Sequence, residues 1–320
     1  MYERIASNVR KTWGLIFVFI VLTVLIGWVV GEFLDIGFWG LGGAVIFAVL
    51  MTWGSYFASD KIALSMSRAQ PADQTQFAQL HNIVEGLSLA AGIPKPRVFV
   101  VQDHAPNAFA TGRNPQHAAI AVTTGLMEKL SRDELEGVIA HELSHVKNRD
   151  TLVMTIAVTL VGVIVLLADW MIRAMWWGGG ARRGRDSGGG LGLPFAIVGI
   201  LLLVLAPLIA QLLQFAVSRQ REFLADADGV FLTRHPEGLI GALEKLQHDQ
   251  TVVRTASRAT AHLWIESPIA RHANKAQHAT KQGAWLNRMF DTHPPLEIRI
   301  QALRQTALSG SQPPMPPPGI

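Results

Sequence analysis

The sequence predicts a multipass membrane protein, mainly α-helical with a small β-sheet, in which a soluble domain is threaded through four hydrophobic segments. Three observations lead there. The 320 residues are 49% hydrophobic and 16% charged, where about 25% charged is usual for a soluble domain, and the mean hydropathy is +0.27. Four stretches are nearly free of charge and close to the roughly 20 residues a helix needs to cross a bilayer. Between and after them lie segments with the caps, turns and periodicity of folded soluble structure.

Composition also excludes. There is no cysteine, so disulfides, thiolate nucleophiles, zinc ribbons and iron–sulfur clusters are ruled out, and any metal must be held by His, Asp or Glu. A net charge of +4 and a pI near 9.6 come without a nucleic-acid recognition motif. The basic excess is read as membrane topology, and no nucleic-acid partner is expected. No internal repeat at a solenoid period is found.

In chain order, 14–31 is an uncharged run of 18 residues and 37–59 another of 23. They predict an N-terminal membrane hairpin over 1–59, with helices at about 14–34 and 37–59. The first run is too long for a cleaved signal peptide and lacks an Ala-x-Ala exit, so it reads as an anchor. Arg4, Arg10 and Lys11 precede it, the loop after it carries Glu32 and Asp35 but no Lys or Arg, and Lys61 and Arg68 follow the second helix. The positive-inside tendency then places both flanks in the cytoplasm.

Residues 60–150 form the first part of the soluble domain. Phe77, Leu80, Val84 and Leu87 stand at helical spacing, closed by Gly92 and Pro94. A strand follows at 97–102, then a polar turn at 103–107 and a second short strand at 118–123. A helix over 132–150 opens at Ser131, which with Glu134 makes a capping box. Residues 151–168 and 191–217 are the third and fourth apolar runs, a second membrane hairpin within 151–217, with a buried core hairpin as the alternative. Its glycine-rich loop 178–190 carries Arg182, Arg183 and Arg185 and falls on the outer side if both helices span. Either that loop crosses despite its charge, or the hairpin dips in without crossing. Residues 218–308 are the second part of the soluble domain, mostly helical, including 236–246 and 296–308. The tail 309–320, with five prolines in twelve residues, reads as disordered.

The chemistry lies on the capped helix. His141-Glu142-Leu143-Ser144-His145 is the H-E-x-x-H pattern. A spacing of four sets both imidazoles on one helix face, where they can converge on one zinc ion, with Glu142 beside it as general base for an attacking water. The plain alternative is two surface histidines flanking a helical glutamate. Catalytic zinc usually has three protein ligands. The continuation H-x-x-G-x-x-H is absent, and Asp150, five residues past His145, lies off the ligand face by about 140° on a continuous helix. Glu222 and Asp226, again at i and i+4, are the better candidates. One carboxylate can ligate while the other orients a ligand histidine through its far nitrogen; a solvated charged helix partnered by Arg219 and Arg221 is the alternative.

Taken together, two N-terminal membrane helices, the segment 107–112 (Asn-Ala-Phe-Ala-Thr-Gly), H-E-x-x-H at 141–145, a membrane hairpin, Glu222 with Ala225-Asp226, and Thr292-His293-Pro294-Pro295 closely resemble the HtpX family of bacterial membrane zinc proteases. The likeness runs from about 1 to 305. It implies that His141, His145 and Glu222 bind one Zn2+ ion, that Glu142 is the general base and that Asp226 supports a ligand. It further implies a zincin-like (gluzincin) catalytic domain on the cytoplasmic face of the inner membrane, acting on misfolded or damaged membrane proteins. The loop 178–190 and the proline-rich tail have no counterpart role.

Three further residues are candidates for contacts to substrate or to the developing oxyanion. Asn107, before the second strand, could hold the backbone of an extended peptide or simply serve a turn. His293 could donate to the oxyanion or be a plain loop histidine. Arg299 could brace an acidic site residue or form a solvated ion pair. The remaining histidines lack ligand spacing. The reading is therefore a multipass zinc endopeptidase for membrane-associated or unfolded proteins; a prenyl-peptide processing protease, or a transporter or scaffold with an incidental motif, are the alternatives.

Overall fold

The computed structural model describes residues 2–33, 37–156, 219–253, 263–266 and 294–309. Two long helices lead, α1 (Tyr2–Phe33) and α2 (Phe38–Met66). Both run beyond the expected limits of 14 and 59, because those limits mark where charge appears, and a helix does not end where its solvent changes. In α2 the added turns place Ala63 and Leu64 in the core of the soluble domain. Ala6–Leu25 and Phe38–Met66 are long and apolar enough to cross a membrane. Large apolar side chains on them, including Trp13, Phe17, Trp39 and Trp53, face away from the protein, as lipid-facing helices require. Of the second hairpin, a helical stretch at 150–156 is described. It lays Leu152 and Ile156 against Ile16 and Phe19 of α1. The rest of the third and fourth apolar runs, the loop 178–190 and the tail beyond 309 lie outside the described residues.

The soluble domain is built on a four-stranded sheet: β1 (Gln70–Pro71), β2 (Arg97–Val101), β3 (Ala108–Thr111) and β4 (Ala119–Thr123), in the order β1-β2-β4-β3. Only β2 and β4 are parallel; β3 runs antiparallel to β4 at an edge, with Ala108 opposite Val122 and Thr111 opposite Ala119. The two-residue period sorts the side chains. Val98, Val100, Ile120 and Val122 face the larger core, while Val101, Phe109, Ala119 and Ala121 face Ala63, Leu64, Met154 and Trp264. With both faces covered, β4 reads as a continuous apolar run. Strand β3, too short and alanine-rich to announce itself, was not expected from the sequence; its pairing with β4 creates it.

Helices α3 (Ala78–Ala91), α4 (Thr124–Lys129), α5 (Arg132–Lys147), α6 (Arg219–Thr233), α7 (Pro236–His248) and α8 (Leu296–Ser309) complete the described fold. Helix α3 buries Leu80, Ile83, Val84 and Leu87 and ends at Gly92, which takes the left-handed conformation (φ 70°) that glycine tolerates without strain. Helix α5 is central, packed by α3, α6 and α7, with Val138, Ile139, Leu143 and Val146 fully buried. Its approach to α7 depends on a glycine: a Cβ on Gly137 would stand 2.6 Å from the Leu239 backbone nitrogen. Gly137→Ala is therefore expected to destabilise the fold by about 1–3 kcal/mol through overpacking, read as a lowered denaturation midpoint in detergent.

Candidate metal centre

Helix α5 opens on a reciprocal cap, with Ser131 Oγ accepting from the Glu134 amide at 3.4 Å and Glu134 Oε2 accepting from the Ser131 amide at 2.6 Å. From there the helix enters the core, so His141, Glu142 and His145 are all buried. The spacing of four brings the two Nε2 atoms to 3.2 Å. Helix α6 lies across α5 so closely that a Cβ on Gly229 would meet the His141 backbone nitrogen at 3.0 Å. About two turns earlier, that close approach delivers Glu222, whose Oε1 is 3.5 Å from His145 Nε2 and whose Oε2 is 3.7 Å from His141 Nε2.

These three donors fit a metal ion. Two ligand atoms of one tetrahedral zinc, each about 2.0–2.2 Å from the ion, stand about 3.3–3.6 Å apart, and the three separations here match that edge closely. The groups behind them fix the same orientation. Asp226 Oδ1 lies 2.9 Å from His141 Nδ1, and Asp150 Oδ2 lies 3.2 Å from His145 Nδ1. Each Nδ1 proton is thus directed to a carboxylate and each Nε2 lone pair to the shared centre. Arg299, buried completely, grips Asp226 with a two-pronged pair, Nε to Oδ2 at 2.8 Å and Nη2 to Oδ1 at 2.5 Å, and sets Nη1 3.4 Å from Glu222 Oε2. Burial would raise the Asp226 carboxyl, but Arg299 and His141 outweigh it and hold the group below its ordinary value.

With no metal bound, the carboxylates around His145 favour its protonated form. Burial works against an imidazolium at His145, yet the Asp150 hydrogen bond and the charges of Glu222, Asp150 and Glu142 push its pKa from 6.5 up to about 9. That proton stabilises the metal-free fold fully below the ordinary histidine value, and the contribution is lost as pH rises through 9. A ligating histidine must be neutral, so metal competes with the proton. Calorimetry in buffers of different ionisation enthalpy should find about one proton released per metal at neutral pH, with apparent affinity falling about tenfold per pH unit below 9.

Glu142 projects beside the centre and accepts a hydrogen bond from the Ala110 backbone amide; burial pushes its carboxyl above the usual range, the two histidines opposing and Glu222 adding to the rise. Asn107 is buried at the start of β3. Its side chain donates to Glu266 O at 2.9 Å and accepts from the Glu266 amide at 3.3 Å, while the Ile265 amide donates to Ala108 O at 2.9 Å. In this structure, then, Asn107 holds a bent piece of its own chain, 265–266, at the sheet edge. Arg299 braces Asp226 and sets Nη1 3.5 Å from Ile265 O, on the segment that lies along the β3 edge. His293 lies outside the described residues.

Asp150, set aside as a metal ligand, stands outside the ligand group but behind His145. Helix α5 does not continue to 150 as expected: it ends at Lys147, Asn148 caps it, and Arg149 takes a left-handed turn (φ 57°) before the chain becomes helical again at Asp150. That break cancels the 140° offset and swings Asp150 back onto His145. The polar run Lys147-Asn148-Arg149-Asp150 before an apolar stretch was the available sign of it.

Comparison with known proteins agrees with the geometry. The model of peptidase family M48 matches residues 74–307. A protease HtpX homolog from Caldanaerobacter subterraneus subsp. tengcongensis is 46% identical over 312 residues, 96% of this chain and 98% of that one. A protease HtpX homolog from Streptococcus pneumoniae is 44% identical over 309 residues, 95% and 99%. A crystal structure of S. mikatae Ste24p aligns with a TM-score of 0.48 and 18% identity; the match takes in 95% of this chain and 66% of that one. A family match spanning both halves of the metal centre, and relatives alike from end to end, place this chain in the HtpX group of peptidase family M48, making it a membrane metalloprotease.

Proposed function

We propose that this metalloprotease is a zinc-dependent endopeptidase that cleaves misfolded or damaged membrane proteins, working at the cytoplasmic face of the bacterial inner membrane. The observation that carries this reading is the convergence of His141, His145 and Glu222 on one buried point. Only two residues past Lys147 the chain turns into the helical stretch that packs on α1, so the chemistry sits at the root of the membrane helices, where a substrate leaving the bilayer first meets the soluble domain.

His141, His145 and Glu222 hold the ion, and Asp226 and Asp150 orient the two imidazoles. Zinc bound there supplies Lewis-acid polarisation of the scissile carbonyl and makes the attacking water more acidic. Glu142, its carboxyl raised by burial, accepts the proton from that water and returns it to the leaving amide nitrogen, so no net proton is lost in the cleavage. Strand addition of an extended peptide at the edge of β3 would require it to displace residues 265–266, which bond Ala108 O and the Asn107 side chain.

The purified full chain in detergent should carry about one zinc ion and digest an unfolded membrane protein; a chelator should abolish cleavage and zinc restore it. A zinc-loaded protein inert toward such substrates overturns the substrate reading. Undiminished zinc in Glu222→Ala removes Glu222 from the ligand set. Because the chain lacks cysteine, Gln76→Cys on an exposed turn reports the side of the soluble domain: labelling from the cytoplasm alone is expected, and labelling from outside reverses the topology.

A further inference from the structure

We propose that Asn8, on the first membrane helix, is a positioning residue for the metal centre, acting on His145 through Asp150. The inference rests on the assignment of His145 as a ligand. Asn8 is buried in α1, and both protons of its side-chain amide are committed: Nδ2 donates to Asp150 Oδ1 at 2.7 Å and to Asn148 O at 2.9 Å. The other oxygen of Asp150 faces His145 Nδ1 at 3.2 Å. One amide on the membrane helix therefore clamps both the cap that ends α5 and the carboxylate that aims the second histidine.

The placement has physical consequences. A carboxylate rotates freely about its last bond unless both oxygens are held, and here one oxygen serves the imidazole only while the other is pinned. Arg221 Nη1 stands 3.7 Å from the pinned oxygen, too far to fix its angle alone. Thr12 Oγ1 donates to Asn8 O, and Ile16 and Phe19 continue the same face of α1 onto Leu152 and Ile156. Helix α1 is thus registered against the segment that begins at Asp150, and the amide sits where that packing meets the carboxylate behind His145. Groups that support metal ligands from behind typically contribute about 10–100-fold to metal affinity; Asn8, one contact further out, should contribute about 3–10-fold.

The test measures zinc transfer from the detergent-purified full chain to a chelating dye, together with the visible spectrum of the cobalt-substituted protein. Asn8→Leu should speed zinc loss about 3–10-fold and shift the cobalt bands, and Asp150→Asn about 10–100-fold. In the double variant the Asn8 effect should vanish, since its route is gone. Phe19→Ala loosens the same helix packing without touching the relay and should leave zinc loss and spectrum unchanged; Asn8→Ala serves where leucine is not accommodated. Additive effects of Asn8 and Asp150, or an equal effect of Phe19→Ala, overturn the relay while leaving the metal centre intact. Full zinc retention by His145→Ala overturns the ligand assignment beneath it.

Discussion

Glu142→Gln is expected to keep its zinc and lose about 10²–10⁴-fold in peptide cleavage, the range a positioned general base contributes. Glutamine fills the same volume and can accept the same Ala110 amide bond, so the fold and the three ligands are undisturbed. What disappears is the ability to take a proton from the attacking water. Metal analysis and single-turnover cleavage of one protein sample separate the two properties. Loss of zinc in this variant would mean that Glu142 is a ligand, and unchanged cleavage would move the base elsewhere.

The second large effect is expected at Arg299. It is fully buried and its guanidinium faces Asp226 and Glu222 while Glu142 also adds to the local negative field. Arg299→Met keeps most of the volume but leaves those carboxylates buried without their cation, a loss of about 3–5 kcal/mol for a broken buried pair. The same change frees Asp226 to rotate away from His141, so zinc retention should fall with stability. Arg299→Lys should recover only part of either, because an ammonium cannot reproduce the two-pronged contact with Asp226. Denaturation in detergent and zinc titration read the two consequences. A Met variant as stable as the parent would show that water, or protonation of a carboxylate, already compensates the charge.

How far the site was legible depended on whether its geometry is local. The histidine pair and Glu142 are three residues of one helix, and a helix converts spacing of four into a shared face wherever it is placed. Their signal survives in the bare sequence for that reason. Glu222 and Asp226 carry the same spacing, but the contact between α6 and α5 is a tertiary event, and before folding they look like any charged helix. The role of Asp150 was hidden for a related cause. Its expected position came from extending α5 by three residues, and a single left-handed residue at Arg149 set it behind His145 instead. Asn8 gave no signal, since its partners lie 140 and 142 residues away. Strand β3 was similarly hidden, as Ala-Phe-Ala-Thr has little strand preference until β4 pairs with it.

By itself the sequence determined the class of molecule and the class of chemistry. Charge-free runs of bilayer length point to a membrane protein, absent cysteines leave only nitrogen and oxygen donors, and H-E-x-x-H behind a capping box specifies two imidazoles and a carboxylate on one turn. The tertiary structure decided which carboxylates join them: Glu222 toward the centre, Asp226 and Asp150 behind the histidines, Arg299 balancing the charge, and Asn8 tying the arrangement to a membrane helix. The division has one physical reason. Hydropathy and helical periodicity are properties of neighbouring residues, whereas a metal centre is closed by groups that meet only when separate helices are packed to within an ångström of their final positions.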